Sequence, residues 1–229
     1  LVTGATGLVG ARLVRALRAD GIAVHAVTRS AGKRFPNGVE AVVWDGVRVA
    51  PDALADLDAV VHLAGEPVFG GLLTDARRVR IRDSRIASTR ALVESMAALP
   101  AASRPRAFVC ASAVGYYGSR GDTLLEESAT PGSGFLADVC VAWEESARAA
   151  ADLGVRTASL RIGIVLAREG GALVPMARAF QLCVGGRLGD GRQWFPWIHV
   201  DDLVGMLRAA IADERWTGAF NAVAPNPVR

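Results

Sequence analysis

Cysteine is scarce and scattered. Cys110, Cys140 and Cys183 are the three in 229 residues, odd in number and far apart. They offer neither a C-x-x-C spacing nor the even count of a disulfide framework, so a reducing, cytoplasmic setting is expected. No apolar run reaches the roughly 18 residues of a membrane span and no signal peptide is visible, so no membrane association is expected. Metal-ligand spacing is missing too, and no bound metal is expected. His25, His62 and His199 are the three histidines. They fall in or beside predicted strands, where hydrogen-bonded core or edge roles are expected. The formal charge of +3 argues against a dedicated nucleic-acid binder, while leaving room for a local basic patch. Lysine is nearly absent, Lys33 being the only one. There is no internal repeat, low-complexity tract or long charged linker.

What is there is ordinary globular material, 51% hydrophobic and 21% charged, enough for one large core or a main domain with a small lobe. The chain opens at Leu1-Val2-Thr3 without Met, and its glycines begin at once. A buried strand runs about 5–6 residues, so the first strand is expected to have lost a few residues at its start. Short apolar runs then alternate with longer amphipathic ones, the mark of βαβ units on a parallel sheet. The pattern predicts a helix over Leu8–Ala19, with Leu8, Val9, Leu13, Ala16 and Leu17 on one face. Ile22–Thr28 is a predicted strand, and Val39–Val43 and Ala59–Leu63 are predicted buried strands. A long helix over Thr74–Ala98 starts at a Thr cap. Ala107–Ala111 and Arg156–Ile162 are predicted strands flanking a helical stretch, Phe135–Asp152. The fold class is therefore α/β, a Rossmann-type doubly wound parallel sheet. Beyond Leu166, glycines at 170–171, 185–186 and 189–191 punctuate short elements. A dinucleotide domain over 1–165 and a partial, interleaved substrate-side lobe over 166–229 are expected.

Gly4-Ala5-Thr6-Gly7-Leu8-Val9-Gly10 joins the first strand to the first helix. Gly4 suits the tight turn, Gly7 lets a phosphate approach the backbone, and Gly10 allows close helix–strand packing. The amides and dipole at the helix start favour a pyrophosphate. At the end of the second strand, where NAD-preferring proteins carry an acid for the ribose hydroxyl, the sequence has Arg29. A guanidinium there suits a 2′-phosphate, so NADP is favoured over NAD. Without a ligand, the same residues are a Gly-rich turn and an exposed strand-end arginine.

These residues resemble the extended short-chain dehydrogenase/reductase superfamily, the NAD-dependent epimerase/dehydratase type. Val60-Val61-His62-Leu63-Ala64-Gly65 is similar to its fourth strand beside the cofactor, and Ala111-Ser112-Ala113 to the fifth with its active-site serine. Leu160-Arg161-Ile162-Gly163-Ile164-Val165 is similar to the segment flanking nicotinamide, and Trp197-Ile198-His199-Val200-Asp201-Asp202-Leu203 to a late-lobe motif. His62–Pro67, Val114-Gly115-Tyr116-Tyr117-Gly118 and Gly189-Asp190-Gly191-Arg192-Gln193 narrow the resemblance to a poorly characterised subgroup of epimerase family proteins. Relatives of that group extend past Asn226-Pro227-Val228-Arg229 into a further substrate-side region. The resemblance implies a cofactor site of Gly4, Thr6, Gly7, Leu8, Val9, Gly10, Arg29, Leu63, Ala64, Gly65, Ser112, Arg161 and Gly163.

It also implies a Tyr-x-x-x-Lys pair on the helix after the fifth strand, and here the sequence departs. Phe135 and Val139 occupy those positions, and neither exchanges a proton. Ser112 remains, with Tyr116 and Tyr117 close behind. Ser112 at a strand's C-terminal end can hydrogen-bond a substrate carbonyl or hydroxyl. Either tyrosine can supply a proton, Tyr116 being preferred, although an unassisted phenol at a pKa of about 10 is a poor base at neutral pH. Equally, both rings can simply pack the crevice wall. Asp201-Asp202 reads as an N-cap with a first-turn acid. Arg77, Arg78, Arg80, Arg82 and Arg85 read as a solvated helix face, although Arg85 falls where relatives place a site-lining asparagine and can meet an anionic substrate or a cofactor phosphate. Two readings stay open. One is an NADP-dependent oxidoreductase or epimerase acting on a small polar molecule such as a sugar nucleotide, and the other an NADP-binding regulatory or scaffold protein. A homodimer is compatible with both.

Overall fold

The computed structural model describes residues 1–68, 71–183, 185–186 and 190–229. Gly189, which opens the 189–193 motif, lies outside them. In chain order come β1 (Val2–Thr3), α1 (Leu8–Ala19), β2 (Val24–Thr28), β3 (Val39–Val43), β4 (Ala59–His62), α2 (Asp75–Ala97), β5 (Ala107–Ala113) and α3 (Phe135–Arg148). They are followed by β6 (Arg156–Ile162), β7 (Ile164–Ala167), β8 (Gly170–Gly171), α4 (Leu173–Gln181), β9 (Trp197–His199), α5 (Val200–Ala212) and β10 (Gly218–Ala222).

Seven parallel strands form the main sheet in the order β10-β6-β5-β4-β1-β2-β3. Helices cover both faces, as the apolar strands require. Leu92 and Met96 of α2 pack with Trp143 of α3 against Val60 and Phe108. On the opposite face Leu13 and Leu17 of α1 join Leu203 and Leu207 of α5 over Val2, Val61 and Val109. From β1 the chain runs outward to β2 and β3, then crosses to β4 on β1's other side, in register Val2↔Val61 and Thr3↔His62. That reversal opens a crevice beyond the C-terminal ends of β1 and β4, where open α/β sheets take ligands.

The segment after 166 does not stay apart from this sheet. β7, β8 and β9 make a small three-stranded sheet, but α5 returns to the main core and β10 pairs with β6. The Arg156 guanidinium donates to the carbonyls of Ala210, Ile211 and Trp216, tying β6 to the end of α5.

Two expectations change. Val39–Val43 is a strand but not a buried one, because β3 is the sheet's edge with only β2 beside it. The cap of α5 is His199, whose Nδ1 accepts from the Asp201 amide at 3.3 Å, and both aspartates lie in the first turn. Asp201 is ion-paired with Arg12 of α1 at 2.6 Å. Among the described residues no helix is long and apolar enough to cross a membrane. All three cysteines are free.

Candidate functional site

The loop between β1 and α1 is wound tightly on itself. Gly4 sits at φ +66°, and a Cβ there would lie 2.8 Å from the Leu63 carbonyl carbon. Its own carbonyl accepts the Gly7 amide at 2.9 Å and would be 2.2 Å from a Cβ on Gly10. The close approach that demands glycine at 10 is thus to the loop itself rather than to the strand. Gly7 is the N-cap residue of α1, with no side-chain cap and no acid in the first turn. The amides of a helix's first turn have no intrahelical acceptor, so Leu8, Val9 and Gly10 present donors at a positive dipole end. Thr6 is exposed beside them, and the Leu8 side chain packs beneath Gly170 and Gly171.

Leu63 and Ala64 are held across from this loop by a three-element relay. Both their amides donate to Thr3 Oγ1 at 3.2 Å. Thr3 Oγ1 is 2.7 Å from His62 Nδ1, and His62 Nε2 is 3.1 Å from Ser88 Oγ on α2. A hydroxyl has two acceptor sites and one hydrogen. With both acceptor sites taken by amides, Thr3 gives its hydrogen to Nδ1, and Nε2 therefore carries the ring proton toward Ser88. Ser88 passes its own hydrogen to the Ser84 carbonyl at 2.7 Å. Burial, with Arg85 nearby, lowers the His62 pKa to about 3.

At the end of β2, Arg29 is exposed, and its Cδ would lie 3.4 Å from a Cβ on Gly46. Its guanidinium makes no hydrogen bond or ion pair to another described residue. β2 itself carries no acid, and its last residue, Thr28, accepts the Ser30 amide on its hydroxyl at 3.1 Å.

A second cluster lies at the end of β5. Ser112 is buried and donates its hydroxyl hydrogen to Glu144 Oε1 of α3 at 2.6 Å. Arg161 of β6 grips the same carboxylate side-on, Nε to Oε1 at 2.9 Å and Nη2 to Oε2 at 2.8 Å. Its Nη1 donates to the Tyr117 hydroxyl and the Glu127 carbonyl. Burial works against the Arg161 cation, but Glu144 and Tyr117 outweigh it and hold its pKa above the usual arginine value. Tyr117 is buried and donates to Asn221 Oδ1 of β10 at 2.6 Å. Tyr116 is half-buried, edge-on to Tyr117, with the Arg161 Cζ 3.5 Å from its ring centroid. Its hydroxyl bonds to no other described residue. Gly163 lies where a Cβ would meet the Pro196 carbonyl at 2.7 Å, and its amide donates to Ala222.

The site residues read from sequence therefore fall into two groups. Gly4, Thr6, Gly7, Leu8, Val9, Gly10, Leu63, Ala64 and Gly65 gather at the β1/β4 crevice, with Arg29 at the neighbouring strand end. Ser112, Tyr116, Arg161 and Gly163 lie along the ends of β5 and β6. Within that second group, the Arg161 side chain is a brace for Glu144 rather than a spare cation. The Ser112 hydrogen is already given away, so its oxygen is left to accept from a hydroxyl rather than to donate to a carbonyl. Tyr117 is committed to the wall, and Tyr116 keeps a hydroxyl that no described residue engages. Glu144 went unnoticed in the sequence, although it ends a helical stripe with Leu136 and Cys140 that faces Gly115 and Ser112. Cys140 is no nucleophile there, because burial and then Glu144 push its thiol up to about 11. Among the described residues, no group of three or more His, Cys, Asp or Glu side chains is placed to hold a metal ion.

The glycine cradle, the uncapped helix start and the acid-free strand end fit a dinucleotide. Comparison with known proteins agrees. The model of the NAD dependent epimerase/dehydratase family matches residues 1–222. The chloroplastic epimerase family protein SDR39U1 homolog of Arabidopsis thaliana is 42% identical over 236 residues, covering 100% of the chain and 66% of that protein. Human epimerase family protein SDR39U1, solved with NADPH, is 32% identical at a TM-score of 0.83, covering 98% of the chain and 74% of its own. MoeE5, in complex with UDP-glucose and NAD, is 26% identical at a TM-score of 0.83, covering 99% of the chain and 76% of its own. The chain thus spans about two thirds to three quarters of the length of the proteins it resembles. It belongs to the NAD dependent epimerase/dehydratase family.

Proposed function

We propose that this chain binds NADP(H) in preference to NAD(H) and forms the cofactor side of an oxidoreductase or epimerase acting at a hydroxyl- or carbonyl-bearing carbon of a small polar molecule, a sugar nucleotide being the favoured class. The observation that carries the cofactor choice is Arg29, exposed and unpaired with any described residue at the strand end where an acid would select NAD. The human relative, solved with NADPH, supports it. The glycine loop and the first-turn amides of α1 would hold the pyrophosphate, and Leu63–Gly65 would flank it. The dinucleotide supplies the hydride acceptor or donor. Ser112, its hydrogen fixed on Glu144, accepts from a substrate hydroxyl and so orients it. Tyr116 holds the one unshared phenol hydrogen in the cluster and is the group placed to exchange a proton.

A second reading, a dinucleotide-binding regulatory protein without turnover, is favoured by Phe135 and Val139, which leave α3 without a proton-exchanging pair. Oxidation of NADPH at 340 nm by the full-length protein, against carbonyl compounds and sugar nucleotides, separates the two. The cofactor proposal is tested by calorimetry of the chain with NADPH and NADH. Losing a charge-assisted phosphate contact costs about 1.5–3 kcal/mol, roughly ten- to a hundredfold in affinity. Arg29→Ala should weaken NADPH by that factor and leave NADH unchanged. Equal affinities in the unmutated protein would overturn the proposal.

A further inference from the structure

Arg85 is the arginine of the α2 series that lies against the crevice, and the cofactor reading does not use it. Its guanidinium lies flush on the backbone of Gly65, where a Cβ would fall 3.3–3.5 Å from Cζ, Nη1 and Nη2. The Trp143 ring is on another side, its centroid 5.2 Å from the Arg85 Cζ. That ring is pinned in turn, since Trp143 Nε1 donates to Thr89 Oγ1 at 3.0 Å and Thr89 donates to the Arg85 carbonyl at 2.6 Å. The side chain is thus held in place before any ligand arrives.

All of its hydrogen bonds to described residues leave from Nη1, to the carbonyls of Glu66 and Ile81 at 3.0 Å and to Ser84 Oγ at 3.5 Å. The Nε–Nη2 edge donates to none of them, yet neither atom is sealed off without a partner. No carboxylate among the described residues is within ion-pair distance. The nearby Glu66 instead faces Arg80 at 4.0 Å. A half-buried cation without an ion-paired carboxylate is costly to keep, and burial draws its pKa below the usual arginine value even though Glu66, beyond ion-pair distance, works the other way. What that edge is built to hold is visible elsewhere in the same molecule. Arg161 uses its own Nε and Nη2 to take both oxygens of Glu144 at 2.9 and 2.8 Å.

We infer that Arg85 is an oxyanion receptor beside the crevice, its Nε–Nη2 edge taking two oxygens of a carboxylate or phosphate carried by the substrate. Planar two-point recognition of this kind belongs to arginine and not to lysine. The crevice location supports a ligand that also reaches the β5 cluster. Trp143, beside Arg85, and Glu144, bonded to Ser112, are consecutive residues of α3, which brings the two settings together. This deepens the proposed function by assigning an oxyanion of the substrate to one residue, and it rests on that reading of the crevice.

The test uses the whole chain, labelled for arginine Nε–H and tryptophan indole N–H resonances, with and without saturating NADP+. Inorganic phosphate and acetate are titrated against chloride at matched ionic strength. Phosphate and acetate should move the Arg85 Nε–H and Trp143 indole signals saturably, with chloride leaving them in place. Arg85→Gln should abolish the response, and Arg85→Lys, which keeps the charge but not the fork, should weaken it about tenfold or more. NADPH affinity should be unchanged in both variants, which also reports that they are folded. An unsaturable shift, or one that chloride reproduces, overturns the inference. So does an NADPH affinity reduced tenfold by Arg85→Gln, because the oxyanion would then be the cofactor's own. If NADP+ fails to bind while phosphate still moves Arg85, the receptor stands and the cofactor reading falls.

Discussion

His62 should make the folded chain acid-labile in a way that belongs to one residue. The ring is buried between Thr3 and Ser88, and its hydrogen-bond pattern leaves Nδ1 only an acceptor's role. Protonating Nδ1 would set its hydrogen against that of Thr3, whose two acceptor sites are already filled by Leu63 and Ala64. Burial, reinforced by Arg85, accordingly lowers its pKa from 6.5 to about 3. The unfolded chain therefore binds the proton first as pH falls. The stabilising contribution is complete above about 6.5, declines below it, and is exhausted near 3. In that window the slope is about 1.4 kcal/mol per pH unit, which amounts to about 2 kcal/mol between pH 7 and pH 5.

Carboxylates titrate in the same range, so the measurement is a difference. Urea unfolding of the unmutated chain and of His62→Gln is compared at pH 7, 6 and 5. Glutamine cannot titrate and fits the relay less well, so the variant should be less stable at pH 7. Its deficit should then shrink by about 2 kcal/mol on going to pH 5. A deficit that stays constant across the range would show that His62 already accepts a proton in the folded state, and the tautomer assigned from the hydrogen bonds would be wrong.

Two other substitutions probe the same neighbourhood. Gly10→Ala puts a Cβ 2.2 Å from the Gly4 carbonyl oxygen, a backbone collision that only loop movement can relieve. A loss of about 2–4 kcal/mol is expected, together with loss of NADPH binding, and an unchanged melting temperature would refute the packing argument. Glu144→Gln removes the only carboxylate paired with Arg161 among the described residues, and the Arg161 side chain is 4% exposed. Stranding that cation should cost about 3–5 kcal/mol, whereas Glu144→Gln combined with Arg161→Met should recover much of it, and equal losses in the single and double variants would refute the pairing.

The sequence was most legible where one physical rule acted alone. The 3–4 spacing of Leu13, Ala16 and Leu17 delimited α1 to the residue, and Thr74 capped α2 as its position suggested. The fold class followed from the alternation of such segments. Strand burial was less legible, because the apolar character of Val39, Val42 and Val43 does not say that β3 is the edge. The relay through Thr3, His62 and Ser88 joins three elements far apart in sequence, and no spacing announces it. Glu144 is a different case. It ends an otherwise apolar helical stripe, on a different face of α3 from positions 135 and 139, to which the resemblance assigns the proton-exchanging pair.

The face that carries positions 135 and 139 serves packing. Residues 135, 139 and 143 share one stripe of α3, which packs toward α2. Phe135 lies under Arg78 at 5.5 Å, and Trp143 lies beside Arg85 at 5.2 Å while bonded to Thr89. Val139 between them is buried. The stripe is thus part of the interhelical core and of the arginine settings, and a tyrosine or lysine at 135 or 139 would bring a polar group into it. Polar chemistry beside Ser112 comes instead from the next stripe along, through Glu144. A carboxylate that already accepts from Ser112 and Arg161 orients the serine but has no proton to give. Any proton exchanged here must then come from elsewhere, and Tyr116 alone in the cluster keeps a hydroxyl that bonds to no described residue. Under the proposed function, positioning then belongs to Glu144 and proton exchange to Tyr116 on the β5–α3 connection.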